Sequence, residues 1–65
     1  MSDNRVNRDL YNDCMQALED KEFFEREERI ALTKVTGAWS YNQPVDAAHL
    51  ERASAAIARW KSARP

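Results

Sequence analysis

The sequence has very little of the residue types that punctuate or cross-link a chain. It contains one glycine, two prolines and one cysteine among 65 residues. So few glycines and prolines do not supply the many turns of an all-β fold. The single cysteine, Cys14, excludes a disulfide within the chain. One cysteine and one histidine, His49, are also a poor set for structural zinc, which usually takes four such ligands. We therefore expect no metal and no cofactor.

Long apolar runs are missing as well. No run approaches the roughly 20 residues that span a bilayer. The first four residues do not show the charged-then-apolar pattern of a secretory signal peptide. We therefore expect a cytoplasmic location, where an unpaired cysteine is stable, and no membrane partner.

The chain is rich in alanine, glutamate, arginine and leucine, which are strong helix formers. It is 43% hydrophobic and 32% charged, which is typical of a folded domain. Its length allows one domain, residues 1–65. Domains this small usually add disulfides, a metal or a second subunit to a limited core. Since the first two are not expected, the sequence predicts a homodimer.

Apolar spacing predicts two helices in the first half, about residues 4–19 and 21–36. The first has an apolar residue at every fourth position: Val6, Leu10, Cys14 and Leu18. Three residues suit its N-cap: Ser2, Asp3 and Asn4. The stripe loses phase near residue 20, where Asp20 suits the N-cap of the second helix. No glycine or proline enforces this break, so a single kinked helix is the alternative.

The second helix carries a charged segment followed by the only glycine. Glu22 and Glu25 stand four residues before Arg26 and Arg29, the favourable order for ion pairs on a solvated helix face. A docking surface for a basic partner is the other interpretation. Gly37 is predicted to end the helix in a left-handed conformation, with a loop over residues 37–45.

A third helix is predicted over about residues 46–62. Asp46 suits its N-cap, and Val45 and Leu50 have the spacing of a hydrophobic staple. Its apolar face follows a 3-4-3 spacing: Leu50, Ala53, Ile57 and Trp60. The fold class is therefore all-α, a small three-helix domain. Six apolar residues offer more apolar surface than one short bundle covers easily, and they are assigned to the dimer seam: Phe23, Phe24, Ile30, Leu50, Ile57 and Trp60.

Nothing in the sequence predicts catalysis. Ser40, Asp46 and His49 have the types of a hydrolase triad, but no strained nucleophile turn surrounds Ser40. Binding to another macromolecule is therefore the remaining class of function. Tryptophan, tyrosine and arginine are the residue types enriched at binding hot spots. The candidate partner-binding residues are Trp39, Tyr41, Arg52, Arg59 and Trp60. A core role is the competing interpretation for Trp39 and Trp60.

The predicted function is that of a small non-enzymatic regulatory or adaptor protein that binds and modulates a larger protein. Accessory proteins of phages and mobile elements are of this kind, although no residue indicates that origin. The alternative is a small DNA- or RNA-binding protein. Residues 1–33 hold nine acids and five bases, whereas residues 34–65 hold two acids and five bases. A basic C-terminal helix would bind phosphates, with Arg52, Arg59, Lys61 and Arg64 on one face.

Overall fold

Three α-helices follow one another along the chain in a computed structural model, which describes residues 6–63. They are α1 (Arg8–Ala17), α2 (Arg26–Ser40) and α3 (Ala47–Ala63), with a short 3₁₀ turn (Lys21–Phe23) between α1 and α2. No strand occurs among the described residues. The prediction of an all-α, three-helix fold is therefore confirmed.

A single apolar core lies where the three helices meet. Its buried members come from every helix and both links: Cys14, Ala17, Phe24, Ala31, Leu32, Val35, Trp39, Val45, Ala53, Ala56, Ile57 and Trp60. The predicted stripe on α3 is confirmed, since Ala53, Ile57 and Trp60 are buried and Leu50 packs half-buried against them. Small alanines on α3 let that helix approach its neighbours closely.

The first helix begins later than predicted, at Arg8 instead of near residue 4. Residues 6 and 7 are not helical. Asn7 is the N-cap, and its side chain accepts a hydrogen bond of 3.1 Å from the Leu10 N–H. The caps predicted at residues 2–4 lie outside the described residues. The helix ends at Ala17, where turn-type hydrogen bonds replace the helical ladder.

The link between α1 and α2 corrects the predicted start of the second helix. This helix begins at Arg26, not at residue 21, because Phe24 adopts an extended conformation (φ −101°, ψ 147°) that brings its ring into the core. Asp20 does not cap α2: it precedes the 3₁₀ turn, and its carboxylate makes no capping bond but accepts a 3.2 Å hydrogen bond from the Trp60 indole. Glu25 caps α2 instead, in a reciprocal capping box with Glu28.

The later start also changes the charge pairing of α2. Glu22 lies in the 3₁₀ turn and Glu25 is the N-cap. Both therefore precede the helix, and neither has the helical geometry that an ion pair with the arginine four residues later requires. Among residues 6–63, the predicted pairs Glu22–Arg26 and Glu25–Arg29 do not form. The Arg29 guanidinium donates to the backbone carbonyls of Lys21 and Phe24 instead, at 3.3 and 2.9 Å.

The end of α2 is a second correction. Gly37 lies within the helix at negative φ, and the helix continues to Ser40. Asn42, at φ 60°, is the left-handed residue. The Asn42 N–H donates to the Trp39 carbonyl and the Gln43 N–H to that of Ala38, which is a Schellman motif. The extra turn places Trp39 one turn beyond Val35, on the buried face.

The third helix begins at Ala47, next to the predicted N-cap. The Asp46 carbonyl accepts a hydrogen bond of 2.9 Å from the Leu50 N–H, and the Asp46 carboxylate lies 3.5 Å from the His49 ring nitrogen. Val45 is buried in the core. The loop between α2 and α3 is therefore residues 41–46, shorter than the predicted 37–45.

Replacing Gly37 with alanine tests where the helix ends. An added Cβ at Gly37 meets no heavy atom within 4 Å. Because helical glycine costs conformational entropy, Gly37→Ala should raise the free energy of unfolding by about 0.5–1 kcal/mol. The control, Asn42→Ala, should lower it by about 1 kcal/mol, since alanine disfavours the left-handed conformation. Urea denaturation followed by circular dichroism measures both, and destabilisation by Gly37→Ala would contradict the helical assignment.

Candidate functional site

Two of the five predicted binding residues are core residues. Trp39 and Trp60 are each 5% exposed. The Trp60 ring lies 6.4 Å from that of Phe24, measured between centroids, and its indole N–H is bonded to Asp20. Within the single chain both tryptophans therefore serve the packing of the three helices, the competing interpretation given above.

The two predicted arginines pair with the first turn of α2. The Arg52 guanidinium donates to the Glu27 carboxylate at 2.7 Å. Arg59 donates to Glu28, and its guanidinium carbon lies 4.5 Å from the centroid of the Phe23 ring. These contacts connect α3 to the start of α2. Both arginines therefore have partners within the chain.

Tyr41 is the predicted binding residue that remains on the surface, with 79% of its area exposed. It follows the last residue of α2, whereas Arg52 and Arg59 contact the first turn of that helix. At a rise of 1.5 Å per residue these two ends are about 20 Å apart. The structure therefore does not bring the five residues into one site.

Within the fold, bases of the C-terminal half of the chain form ion pairs with acids of the N-terminal half. Three bases of α3 pair with acids of α1 and α2: Arg52 with Glu27, Arg59 with Glu28, and Lys61 with Asp13. These carboxylates offset the positive charge that α3 would otherwise present to a phosphate backbone, although the three bases remain half-exposed. Arg64, the fourth base proposed for nucleic acid, lies outside the described residues.

The side chains considered for catalysis have other partners. The Ser40 hydroxyl donates to the Thr36 carbonyl at 2.7 Å, so Tyr11 donates to Ser40 in the 3.0 Å bond between their hydroxyls. His49 pairs with Asp46 within one turn of α3. Burial, with a smaller contribution from Asp13, raises the pKa of the Cys14 thiol to about 12, which disfavours the nucleophilic thiolate. Between residues 6 and 63, no three metal-ligating side chains are grouped.

No family model, curated protein or solved structure matches this chain. None of the helices in the described part is both long enough and apolar enough to cross a membrane. A functional site therefore has to be sought on the surface of the fold itself.

Large apolar side chains are exposed on α1, on α2 and next to their ends, and within residues 6–63 none is exposed on α3. Tyr11 near the start of α1 is bonded to Ser40 at the end of α2, and Leu18 lines a depression with Ile30 and Thr33, so the two helices are antiparallel. We define the α1–α2 face by Tyr11 and Met15 of α1, Leu18 directly after it, Ile30, Thr33 and Gly37 of α2, and Tyr41. Met15 is 48% exposed and Ile30 is 42% exposed.

A depression lies near each end of the α1–α2 face. One, of about 350 Å³, lies beside the 3₁₀ turn, and its lining is Leu18, Lys21, Arg26, Arg29, Ile30 and Thr33. We call it the basic groove. The other, of about 250 Å³, is lined by Val6, Arg8, Tyr11, Asn12, Trp39, Ser40 and Asn42. Neither lining includes an acid.

Met15 was not among the predicted site residues and Ile30 was assigned to the dimer seam; both are exposed on the surface of one chain. One signal was present. Ile30 shares a helix face with Arg26, Thr33, Lys34 and Gly37, none of which is a core type. The buried residues of α2 lie on the opposite side. Reading the polar stripe as well as the apolar one would have placed Ile30 in solvent.

The Glu28 carboxylate links the capping box of α2 to α3, and its titration can be followed. Burial alone would raise its pKa, but hydrogen bonds from the Glu25 N–H and Arg59, together with the charge of Arg59, hold the pKa below its ordinary value of 4.5. The folded state therefore favours the carboxylate. This contribution to stability is complete above about pH 4.5 and is lost as the pH falls through the folded-state pKa.

Glu28→Gln should therefore lower the free energy of unfolding at neutral pH by about 1 kcal/mol, and the loss should shrink as the pH falls toward 3. Urea denaturation at a series of pH values measures it. The matched control is Glu51→Gln on the exposed side of α3, which should change stability little at any pH. Equal pH profiles for wild type and Glu28→Gln would contradict the assigned role.

Proposed function

We propose that this chain is a small non-enzymatic regulatory or adaptor protein that binds a larger protein through its α1–α2 face. The observation that carries the proposal is the exposure of large apolar residues on α1, α2 and their ends, while α3 exposes none in the described part of the chain. Among residues 6–63, four large apolar side chains are exposed: Val6, Met15, Ile30 and Tyr41. Three lie on the α1–α2 face, and Val6 lines the depression at its end. Exposed apolar side chains that share one side of a domain offer contacts for a binding partner.

Binding to DNA or RNA is the alternative, and the ion pairs of α3 argue against it. Arg52, Arg59 and Lys61 each have a carboxylate partner within the chain. A nucleic-acid surface normally presents several bases that are open to phosphates. We therefore favour a protein partner.

A charge placed on the α1–α2 face should abolish binding of a protein partner. Met15→Glu and Ile30→Glu each put a carboxylate among apolar contacts, and each should weaken binding at least tenfold, as should Tyr41→Ala. Ala55→Glu adds the same charge on the exposed side of α3 and should bind like the wild type. A partner isolated from the native host by cross-linking, then titrated calorimetrically with each folded variant, provides the measurement.

The proposal is wrong if Met15→Glu and Ile30→Glu bind the partner normally. It is also wrong if the isolated partner is a nucleic acid whose binding falls steeply with salt and with Arg52→Ala. Circular dichroism of each variant separates lost binding from lost folding.

The homodimer predicted from the sequence stays a prediction. The apolar surface available for it is smaller than the sequence indicated. Phe24, Ile57 and Trp60, assigned above to the dimer seam, are buried within one chain. Ile30 is the exposed member of that set. A dimer would have to use the α1–α2 face, where two copies would bring their basic grooves together.

Self-association through this face should therefore strengthen with salt, because salt screens the repulsion of like charges. Sedimentation equilibrium at low and high salt should show the mass rising from 7.5 kDa toward twice that value. Ile30→Glu should prevent the rise, whereas Ala55→Glu should not. A mass of one chain under all conditions would rule out the dimer.

A further inference from the structure

The basic groove has a floor and a rim of different chemistry. Leu18 is half-buried and Ile30 is 42% exposed, and together with Thr33 they form the floor between the two helices. Lys21 and Arg26 are exposed at the rim. No acid lines the groove. An occupant has to offer apolar groups to the floor and negative charge to the rim.

Among residues 6–63, Lys21 and Arg26 keep no ion-pair partner even though Glu19 and Glu22 are near in sequence, and neither of these acids lines the groove. The acids at the start of α2 have other partners. Glu25 and Glu28 form the capping box, and Glu27 and Glu28 pair with the arginines of α3. In the described part of the chain, neither Lys21 nor Arg26 belongs to an ion pair. Arg29 is different, because its guanidinium is held by the Lys21 and Phe24 carbonyls, and it adds fixed positive charge beside the floor.

The shape of the face favours a helical occupant. Two antiparallel helices leave a seam into which a third amphipathic helix can lay an apolar face. In the last turn of α2, Gly37 presents open space that lets another backbone approach. The ten residues of α1 correspond to about 15 Å of helix, which three turns of a partner helix would match.

We propose that the basic groove binds an acidic amphipathic helix of a partner protein, with apolar side chains on Leu18 and Ile30 and carboxylates on Lys21 and Arg26. This inference rests on the proposed function and specifies the partner's chemistry. An apolar floor flanked by two open bases suits such a helix better than a phosphate chain, since nucleic acids need many phosphate contacts for affinity. A second copy of this chain would bring its own basic groove to the contact, which like charges disfavour.

An unbiased selection tests the proposal. Helical peptides of about 14 randomised residues, long enough for the seam, are displayed and selected against the full chain. The selected sequences should be rich in aspartate and glutamate, with apolar residues three and four positions apart. The double variant Lys21→Glu, Arg26→Glu should bind these peptides at least about tenfold more weakly, and selection against it should enrich lysine and arginine instead.

Lys34→Glu is the matched control, because Lys34 is an exposed base of α2 that does not line the groove. It should change the affinity of the selected peptides less than about threefold. Amide chemical-shift changes on adding a selected peptide should centre on Leu18, Ile30 and Thr33.

Several outcomes would overturn the proposal. These are selection of basic or uncharged peptides, no enrichment, shifts that map to α3, or a single-stranded oligonucleotide that displaces the acidic peptide from the groove. Failure of this inference is distinguishable from failure of the proposed function. If Ile30→Glu abolishes binding of the native partner but the Lys21, Arg26 reversal does not, the face is the binding site and the acidic helix is wrong.

Discussion

The indole of Trp60 joins α3 to the link between α1 and α2 by one apolar and one polar contact. Its ring lies beside Phe24, and its N–H donates to the Asp20 carboxylate. Both partners belong to the segment that leaves the helical conformation, so the same side chain that anchors α3 also fixes the reversal of the chain. Because the chain reverses there, α1 and α2 lie antiparallel, and α3 covers one side of the pair. The side that α3 does not cover is the α1–α2 face, with the exposed Met15 and Ile30.

The charges of the chain follow from this arrangement. Docking of α3 brings its bases to the acids of α1 and α2. The resulting ion pairs with Asp13, Glu27 and Glu28 offset much of the excess positive charge of the C-terminal half with the excess negative charge of the N-terminal half. Exposed pairs of this kind contribute little stability each. Their larger effect is on the surface that remains. With Glu27 and Glu28 turned toward α3 and Glu25 in the capping box, Lys21 and Arg26 give the far side of α2 an open positive rim.

Local periodicity was enough to predict three helices, because the stripes on α1 and α3 depend on short spacings. The ends of α2 were misplaced because they depend on contacts distant in sequence. Asp20 has the type of a cap but bonds to a residue 40 positions away, and Gly37 has the type of a helix end but precedes Trp39, whose burial extends the helix. The candidate site was poorly predicted for a related reason. Enrichment of tryptophan and arginine at interfaces does not say whether a given side chain is needed by the core, and in so short a chain Trp39 and Trp60 are.

The way the core is completed also limits how the protein can bind. The homodimer was predicted on the expectation that one copy leaves much apolar surface uncovered. For Phe24, Ile57 and Trp60 this expectation is wrong, because the three helices of one chain bury them. The apolar area left for a partner is therefore small and is divided between α1 and α2. Association costs several kcal/mol of lost freedom before any contact contributes. The partner helix proposed above would combine that limited apolar contact with charge on Lys21 and Arg26, and such binding would be weak, reversible and sensitive to salt. Weak and reversible binding suits a protein that modulates a larger one better than a permanent structural subunit.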